Sequence, residues 1–544
     1  MPATGEVAVA PHVENTMHRF KKYRLGLCLL FVAIVAATGC GDVSQPVPPP
    51  SPPKQVEAPV ETNPVKTDEP IPVSLAQESE TESWQVIYLG ETRIGYVHST
   101  SEEITRDGRK LEQTSTETHM TIERFGQKLK MQILLENVAA EDGELVSFVQ
   151  ETKNPPANST RVVGQVAGDK LLLKTTIADR TTEQELPWEK GLKSPAYEAQ
   201  SLAENPLKPG ESRSFDVFLP ELKKKATVTM TAGNMESVKL FDGTSQDLMQ
   251  IKTTNTVLPT STRSWIDEKG NTLKTETDLL GLVMTTYEVS EEEAVKAIAG
   301  GELDIAVGSL IRVDPIPKGH GSRKVVYQIT TPGEDAAEFL VADKTQSVKR
   351  ISDETIELTV APPALPENAK VVEAKPEFLE SSAFLQCTDE NVIEHADKAA
   401  GEETDPVEIA RRMEKYVSTT LTNKNFSTAM ASAAEVAKNL EGDCTEHAVL
   451  LAAMLRAKKI PSRIAVGLVY IERSHDFGGH MWSEAWLDGK WVPLDATLGR
   501  GGIGGAHIKM ANSSFSDDGP APVLSFLPMM KVLGKMKIKV VDSE

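Results

Sequence analysis

A chain of 544 residues has room for several domains, and with 40% hydrophobic and 25% charged residues most of it can fold around packed cores. The formal net charge of −21, with no run of clustered Lys and Arg, argues against a nucleic-acid surface. Four cysteines are too few for a disulfide framework, and no Cys-x-x-Cys pair points to zinc.

The N-terminus reads as an export signal. His18, Arg19, Lys21, Lys22 and Arg24 form a positive stretch, and residues 25–37 are apolar. Spanning a bilayer takes about 20 apolar residues, so this shorter run suits the central part of a signal peptide. It ends in Ala37-Thr38-Gly39-Cys40, which resembles a bacterial lipoprotein processing site, with Ala37 where that pattern usually carries leucine. The resemblance implies removal of residues 1–39, a lipid on Cys40, and a protein held at a membrane of the cell envelope, facing periplasm or the cell exterior. Met17 offers a second start. Residues 40–82, with ten prolines between 41 and 72, predict an extended tether that buries too little apolar surface to fold.

Over residues 83–291 the period is two. Leu129, Met131, Ile133 and Leu135 alternate with mostly polar neighbours, as do Phe215, Val217 and Leu219, and Ala226, Val228 and Met230. Asp107-Gly108, Asp142-Gly143 and Asp242-Gly243 supply turns between such runs. The pattern predicts a large antiparallel β-domain, one face packed and the other wet. His98 and His119 lack partners at metal-ligand spacing. Residues 292–375 predict a small β-unit and linker, with strands near 310–313, 324–329 and 356–360. Within it, Gly319-His320-Gly321-Ser322 lacks the Gly-Lys-Ser/Thr ending of a phosphate loop and reads as a plain loop.

From residue 376 to 500 the period becomes helical and then returns to strand. Asp405-Pro406 is an N-cap and first-turn pair, with Ile409, Met413 and Val417 repeating at i, i+4. Ser432 and Glu435 match a capping box. Cys444 follows Gly442-Asp443 and precedes 448–455, apolar almost all round, so it stands at the first turn of a buried helix. There the helix dipole and unpaired N–H groups favour a thiolate and can hold an oxyanion. Taken alone, Cys444 is more readily a small core residue, as most lone cysteines are.

Its partners come from a hairpin. Asp488-Gly489 sets the register Leu487–Lys490, Trp486–Trp491, Glu484–Pro493 and Trp482–Asp495, which puts Asp495 on the face of His480, diagonal to it. Diagonal neighbours lie about 7–8 Å apart, within reach of an imidazole meeting a carboxylate. Cys444 as nucleophile, His480 as base and Asp495 as its orienting acid make a catalytic triad.

The segments 442–448, 479–486 and 491–497 (GDCTEHA, GHMWSEAW and WVPLDAT) resemble the three core motifs of the bacterial transglutaminase-like family, with weaker similarity at 427–437 and 506–509. Met481 stands where the family often has alanine. The resemblance implies an α+β fold: a papain-like core at 376–500, an extension over 501–544 packed on it, and the β-domains before it. It further implies a Cys-His-Asp triad, no cofactor, no metal despite His447 near Cys444, and a protein or peptide substrate. Trp482 and Gly479 then border the substrate groove. The expected reaction is acyl transfer from an amide or peptide through a thioester, ending in transamidation, deamidation or proteolysis. The alternative is a catalytically silent envelope protein whose β-domain does the work. Cys387 and Cys444 are expected as free thiols, and nothing in the sequence sets an oligomeric state.

Overall fold

In the computed structural model, residues 81–544 are described, apart from 156, 158, 178–179, 259, 280 and 298–303. The export signal, Cys40 and nearly all of the tether lie outside the described residues.

The period-two region builds one antiparallel sheet of 14 strands. Its first meander runs β1 (Thr81–Leu89), β2 (Thr92–Arg106), β3 (Arg109–Arg124), β4 (Gln127–Ala140), β5 (Leu145–Lys153), β6 (Thr160–Ala167), β7 (Lys170–Ile177) and β8 (Arg180–Pro187). The second runs β9 (Ser212–Leu219), β10 (Lys224–Lys239), β11 (Ser245–Asn255), β12 (Ser261–Ile266), β13 (Thr272–Leu279) and β14 (Leu282–Val289). β1 pairs with β14, so the two meanders form one continuous surface. Adjacent residues Asp107 and Gly108 both take positive φ, 54° and 73°, as a tight right-twisted hairpin requires.

The strands alternate buried and more exposed residues, as along β7, and the sheet curls on itself. Lys193, between β8 and β9, bridges both Val217 of β9 and Glu144 ahead of β5. Phe148 of β5, Leu173 of β7 and Phe218 of β9 then share one core with Trp188. Curling hides edge strands that would otherwise template aggregation.

Residues beyond 304 build two smaller sheets. β15 (Ile311–Arg312) joins not the small β-unit but the C-terminal sheet, where Ile311 pairs with Phe477. β16 (Val325–Thr330), β17 (Gln346–Arg350) and β18 (Thr355–Val360) form a sheet completed by the chain's last strand, Lys537–Ser543, against β16. The C-terminal region starts with α1 (Glu390–Ala400), α2 (Pro406–Thr420), α3 (Ala433–Asn439) and α4 (Cys444–Ala457). It continues with β19 (Ser462–Ile471), β20 (Asp476–Leu487), β21 (Lys490–Leu494) and β22 (His507–Ser513), with β19 between β20 and β22.

α4 packs against α1, α2 and α3 and against β19 and β20. Val449, Leu450, Leu451, Met454 and Leu455 are fully buried. Each contributes roughly 1.5–3 kcal/mol of burial. That packing fixes where the helix begins, and therefore where Cys444 stands.

Candidate active site

The start of α4 is held by a dense set of polar contacts. Gly442 has φ 144°, and a β-carbon there would lie 2.3 Å from Cβ of Glu446. Asp443 is the N-cap: its Oδ1 accepts from the Thr445 amide at 2.8 Å and the Thr445 hydroxyl at 2.9 Å. Glu446 completes a capping box, accepting from the Asp443 amide at 2.9 Å and also from the Ala431 amide at 2.9 Å. Burial, then the nearby Asp443 carboxylate, pushes the Glu446 carboxyl up to about 8. The second oxygen of Asp443 pairs with the guanidinium of Arg124, from the end of β3, which also donates to Thr428 O at 3.0 Å.

His447 lies one turn in. Its Nδ1–H donates to Asp443 O at 2.5 Å, and its Nε2 accepts from Lys424 Nζ at 3.3 Å. Burial and then the Lys424 charge hold the imidazole neutral, its pKa lowered to about 4. Both nitrogens are thus occupied, which assigns His447 to the cap of the helix.

His480 on β20 and Asp495, the residue after β21, meet directly: Nε2–H donates to Oδ2 at 2.9 Å. The hairpin has the expected register from Leu487–Lys490 to Glu484–Pro493, and Asp488 and Gly489 both have positive φ. The ladder then stops at Ser483–Leu494, one pair short of Trp482–Asp495. Asp495 lies just past the strand: its amide donates to Glu414 Oε1 of α2 at 3.0 Å and its carboxylate meets His480. Its Oδ1 accepts from the Thr497 amide at 2.9 Å. Burial alone would raise the Asp495 carboxyl; the His480 charge and hydrogen bonds from His480 and His507 hold it well below the usual range.

Three residues that sequence reasoning did not single out surround this pair. His507 of β22 donates from Nε2 to the same Oδ2 at 3.0 Å. Glu414 supports Asp495 from behind and also accepts from the Gly502 amide; burial pushes its carboxyl up to about 8. His320, in the loop read as plain, stands with its ring 5.6 Å from that of His507. His480, Asp495 and His507 present ligand atoms within 4.8 Å of one another, and among the described residues this is the one such group with cation-binding spacing.

Cys444, His480 and Asp495 are buried, at 0%, 2% and 1% exposure. α4 and β20 are bonded through Ser483 Oγ to Ala448 O at 2.8 Å, and the Asp495 charge acts on His447 in the first turn of α4. His480 Nδ1 is buried without a hydrogen-bond partner. The Trp482 ring stacks on His480 at 6.1 Å and meets His507 edge-on at 5.5 Å. Gly479 sits in the β19–β20 ladder opposite Leu468. Cys387 lies away on its own, its thiol donating to Leu379 O, and neither it nor Cys444 is in a disulfide.

A helix starting at a cysteine, packed on a sheet that carries a histidine–aspartate pair, is a thiol-enzyme fold. Residues 393–496, which include Cys444, His480 and Asp495, match the transglutaminase-like superfamily, and this part of the chain is a transglutaminase-like domain. The chain is also similar to three solved structures. One is a candidate cysteine protease from Cytophaga hutchinsonii (16% identity, TM-score 0.25, 41% of this chain and 86% of that one). Another is a β-barrel-like protein of the domain of unknown function DUF1849 from Brucella abortus (11%, 0.27, 38% and 96%). The third is a candidate protease from Parabacteroides distasonis (12%, 0.18, 65% and 64%). No curated protein matches the chain.

Proposed function

We propose that this protein is a thiol acyl-transfer enzyme in which Cys444 attacks an amide or peptide carbonyl, with His480 as base and Asp495 as the group that orients it. The observation that carries the reading is the buried His480–Asp495 hydrogen bond. With Nε2–H donated to an ionised Asp495, Nδ1 keeps a lone pair and has no hydrogen-bond partner of its own. That nitrogen takes the thiol proton as sulfur bonds to the carbonyl carbon. The imidazolium then protonates the departing nitrogen as the C–N bond breaks, leaving a thioester. Water resolves the thioester in hydrolysis or deamidation, and an amine resolves it in transamidation.

Substrate must displace whatever covers the buried sulfur. The 421–432 loop lies between β3 and α4: Lys424 contacts His447, Thr428 contacts Arg124, and the Phe426 ring meets Phe125 at a tilt, 5.0 Å between centroids. We place the enzyme at the cell envelope, tethered through a lipid on Cys40; a Cys40→Ser variant is then released from the membrane fraction.

Cys387 supplies an internal control for the thiol chemistry, because it too is a buried, unbridged cysteine. On exposure of the native protein to iodoacetamide, Cys444 should alkylate at least about tenfold faster than Cys387, at a rate nearly flat from mildly acidic to neutral pH. The His480→Ala variant should lose that advantage. Equal rates for the two thiols, or a Cys444 rate that climbs only in the free-thiol range, would overturn the proposal.

A further inference from the structure

Both oxygens of the Asp495 carboxylate are held. Oδ1 accepts from the Thr497 amide at 2.9 Å and the Leu498 amide at 3.3 Å. Oδ2 takes one hydrogen bond from His480 at 2.9 Å and one from His507 at 3.0 Å. Backbone therefore fixes one end of the carboxylate, and two imidazoles fix the other. The thiol chemistry uses His480 and leaves His507 without a role.

The sheet delivers the second ring from across β19. Gly467 of β19 pairs with His480 of β20, and Val469, two residues on, pairs with His507 of β22. Both imidazoles thus rise from one face of the sheet. The β19–β22 register shifts between Val466 and Gly467, and a β-carbon at Gly467 would lie 2.0 Å from Ile508 O, so β22 runs very close to β19 there. Such an irregularity re-aims neighbouring side chains. The His507 ring ends 5.8 Å from that of His480 and 5.5 Å from that of Trp482.

A histidine that only pins the core has both nitrogens bonded to its surroundings. His395 is of that kind: Nδ1 meets the Tyr416 hydroxyl at 2.8 Å and Nε2 meets Ala437 O at 2.9 Å. His507, 2% exposed, bonds through Nε2 to the Asp495 carboxylate, and its Nδ1 has no partner. Nor does β22 need the imidazole to hold its start. The Tyr470 amide donates to Ala506 O at 3.0 Å, and the Tyr327 hydroxyl donates to Gly505 O at 2.7 Å.

We infer that His507 is a positioning residue for the reaction: its Nε2–H holds Asp495 Oδ2 in line with His480, which keeps the His480 ring in the orientation from which Nδ1 takes the thiol proton. The inference rests on the proposed function and extends its histidine–aspartate pair to a histidine–aspartate–histidine unit. Without His507, a buried carboxylate oxygen loses a donor that no water replaces, and the carboxylate is free to turn.

The test compares His507→Gln with His507→Met, unbranched side chains of nearly equal length, one with an amide N–H near the place of Nε2 and one without. The readout is alkylation of Cys444 by iodoacetamide in the native protein at pH 6, with Cys387 as internal reference. His507→Met should slow Cys444 about tenfold, the worth of one hydrogen bond to a charged group, and His507→Gln should stay within about threefold of the parent. Added to Asp495→Asn, His507→Met should slow Cys444 no further, within a factor of about two, because its effect passes through Asp495. Equal rates for the Gln and Met variants, or a further loss in the double variant, would mean a packing role and overturn the inference. Should His507→Met fail to fold, nitrogen-15 NMR of the parent decides: His507 must carry a proton on Nε2 at pH 7, and a bare Nε2 overturns the inference. Equal alkylation of Cys444 and Cys387 in the parent overturns the proposed function and this inference with it; a fast parent thiol that His507→Met leaves unchanged overturns this inference alone.

Discussion

Asp495 Oδ2 receives two imidazole hydrogen bonds, at 2.9 Å from His480 and 3.0 Å from His507, yet only His480 lies on the strand that packs on the nucleophile's helix. An ionised carboxylate between two Nε2–H donors locks both rings in the same tautomer. Replacing Asp495 by Asn keeps the shape but withdraws the charge that selects that tautomer. Asp495→Asn should therefore slow Cys444 alkylation near pH 6 by about 10-fold or more, and turnover by roughly 10³–10⁴-fold. Glu414 allows a separate test by pH. Its carboxyl rises from 4.5 to about 8 through burial, so it is protonated in the folded chain at neutral pH. A raised folded value contributes stability that is complete below 4.5 and lost as pH climbs through about 8. Glu414→Gln keeps an Oε1 for the Asp495 and Gly502 amides and cannot ionise. Urea unfolding midpoints between about pH 5 and pH 9 should fall for the parent protein and stay flatter for the variant. Parallel curves would mean that Glu414 does not carry this proton.

At the scale of elements, local signals made the β20–β21 hairpin and the start of α4 legible, because both are short-range structures. A two-residue turn set the β20–β21 register, and a capping box with an all-apolar run set α4. What escaped was long-range. Glu414 meets Asp495 from 81 residues earlier in the chain, and in the sequence it looks like one more acidic position on α2. His507 was legible only as part of the weaker similarity at 506–509, and His320 sat in a loop whose neighbours are chosen by sheet packing. The pairing of Asp495 with Trp482 was lost to a similarly distant contact: the chain leaves the strand after Leu494, where the Asp495 amide donates to Glu414 of α2. The cap of α4 is the element most exposed to a small change. Gly442→Ala must accommodate φ 144° and a β-carbon 2.3 Å from Cβ of Glu446, neither of which a side-chain rotation relieves. It should cost about 1–3 kcal/mol in denaturant unfolding and slow Cys444 alkylation, whereas Gly489→Ala, at an open hairpin tip, should leave the alkylation rate within a factor of about two.

Across the whole molecule, the alternating pattern announced many strands but not their closure, since the β1–β14 pairing and the Lys193 bridges join residues far apart in the chain. Closure brings the end of β3 to the catalytic helix, and with it Arg124. The Arg124 guanidinium and the Asp443 carboxylate are both fully buried, 319 residues apart in sequence, and Asp443 is the N-cap beside the nucleophile. Removing one member of such a pair leaves a desolvated charge behind, at a cost of roughly 3–5 kcal/mol, while removing both charges costs much less. Arg124→Met should therefore destabilise the protein by about that amount and disturb the cap, lowering the Cys444 alkylation rate. Asp443→Asn in the Arg124→Met background retains a good N-cap oxygen and deletes the stranded charge, so it should recover most of the lost stability and part of the alkylation rate. The double-mutant cycle gives the coupling between β-domain and catalytic helix directly: a coupling of a few kcal/mol ties the barrel to the nucleophile's position, and additive effects within about 0.5 kcal/mol would show that the two parts are merely adjacent.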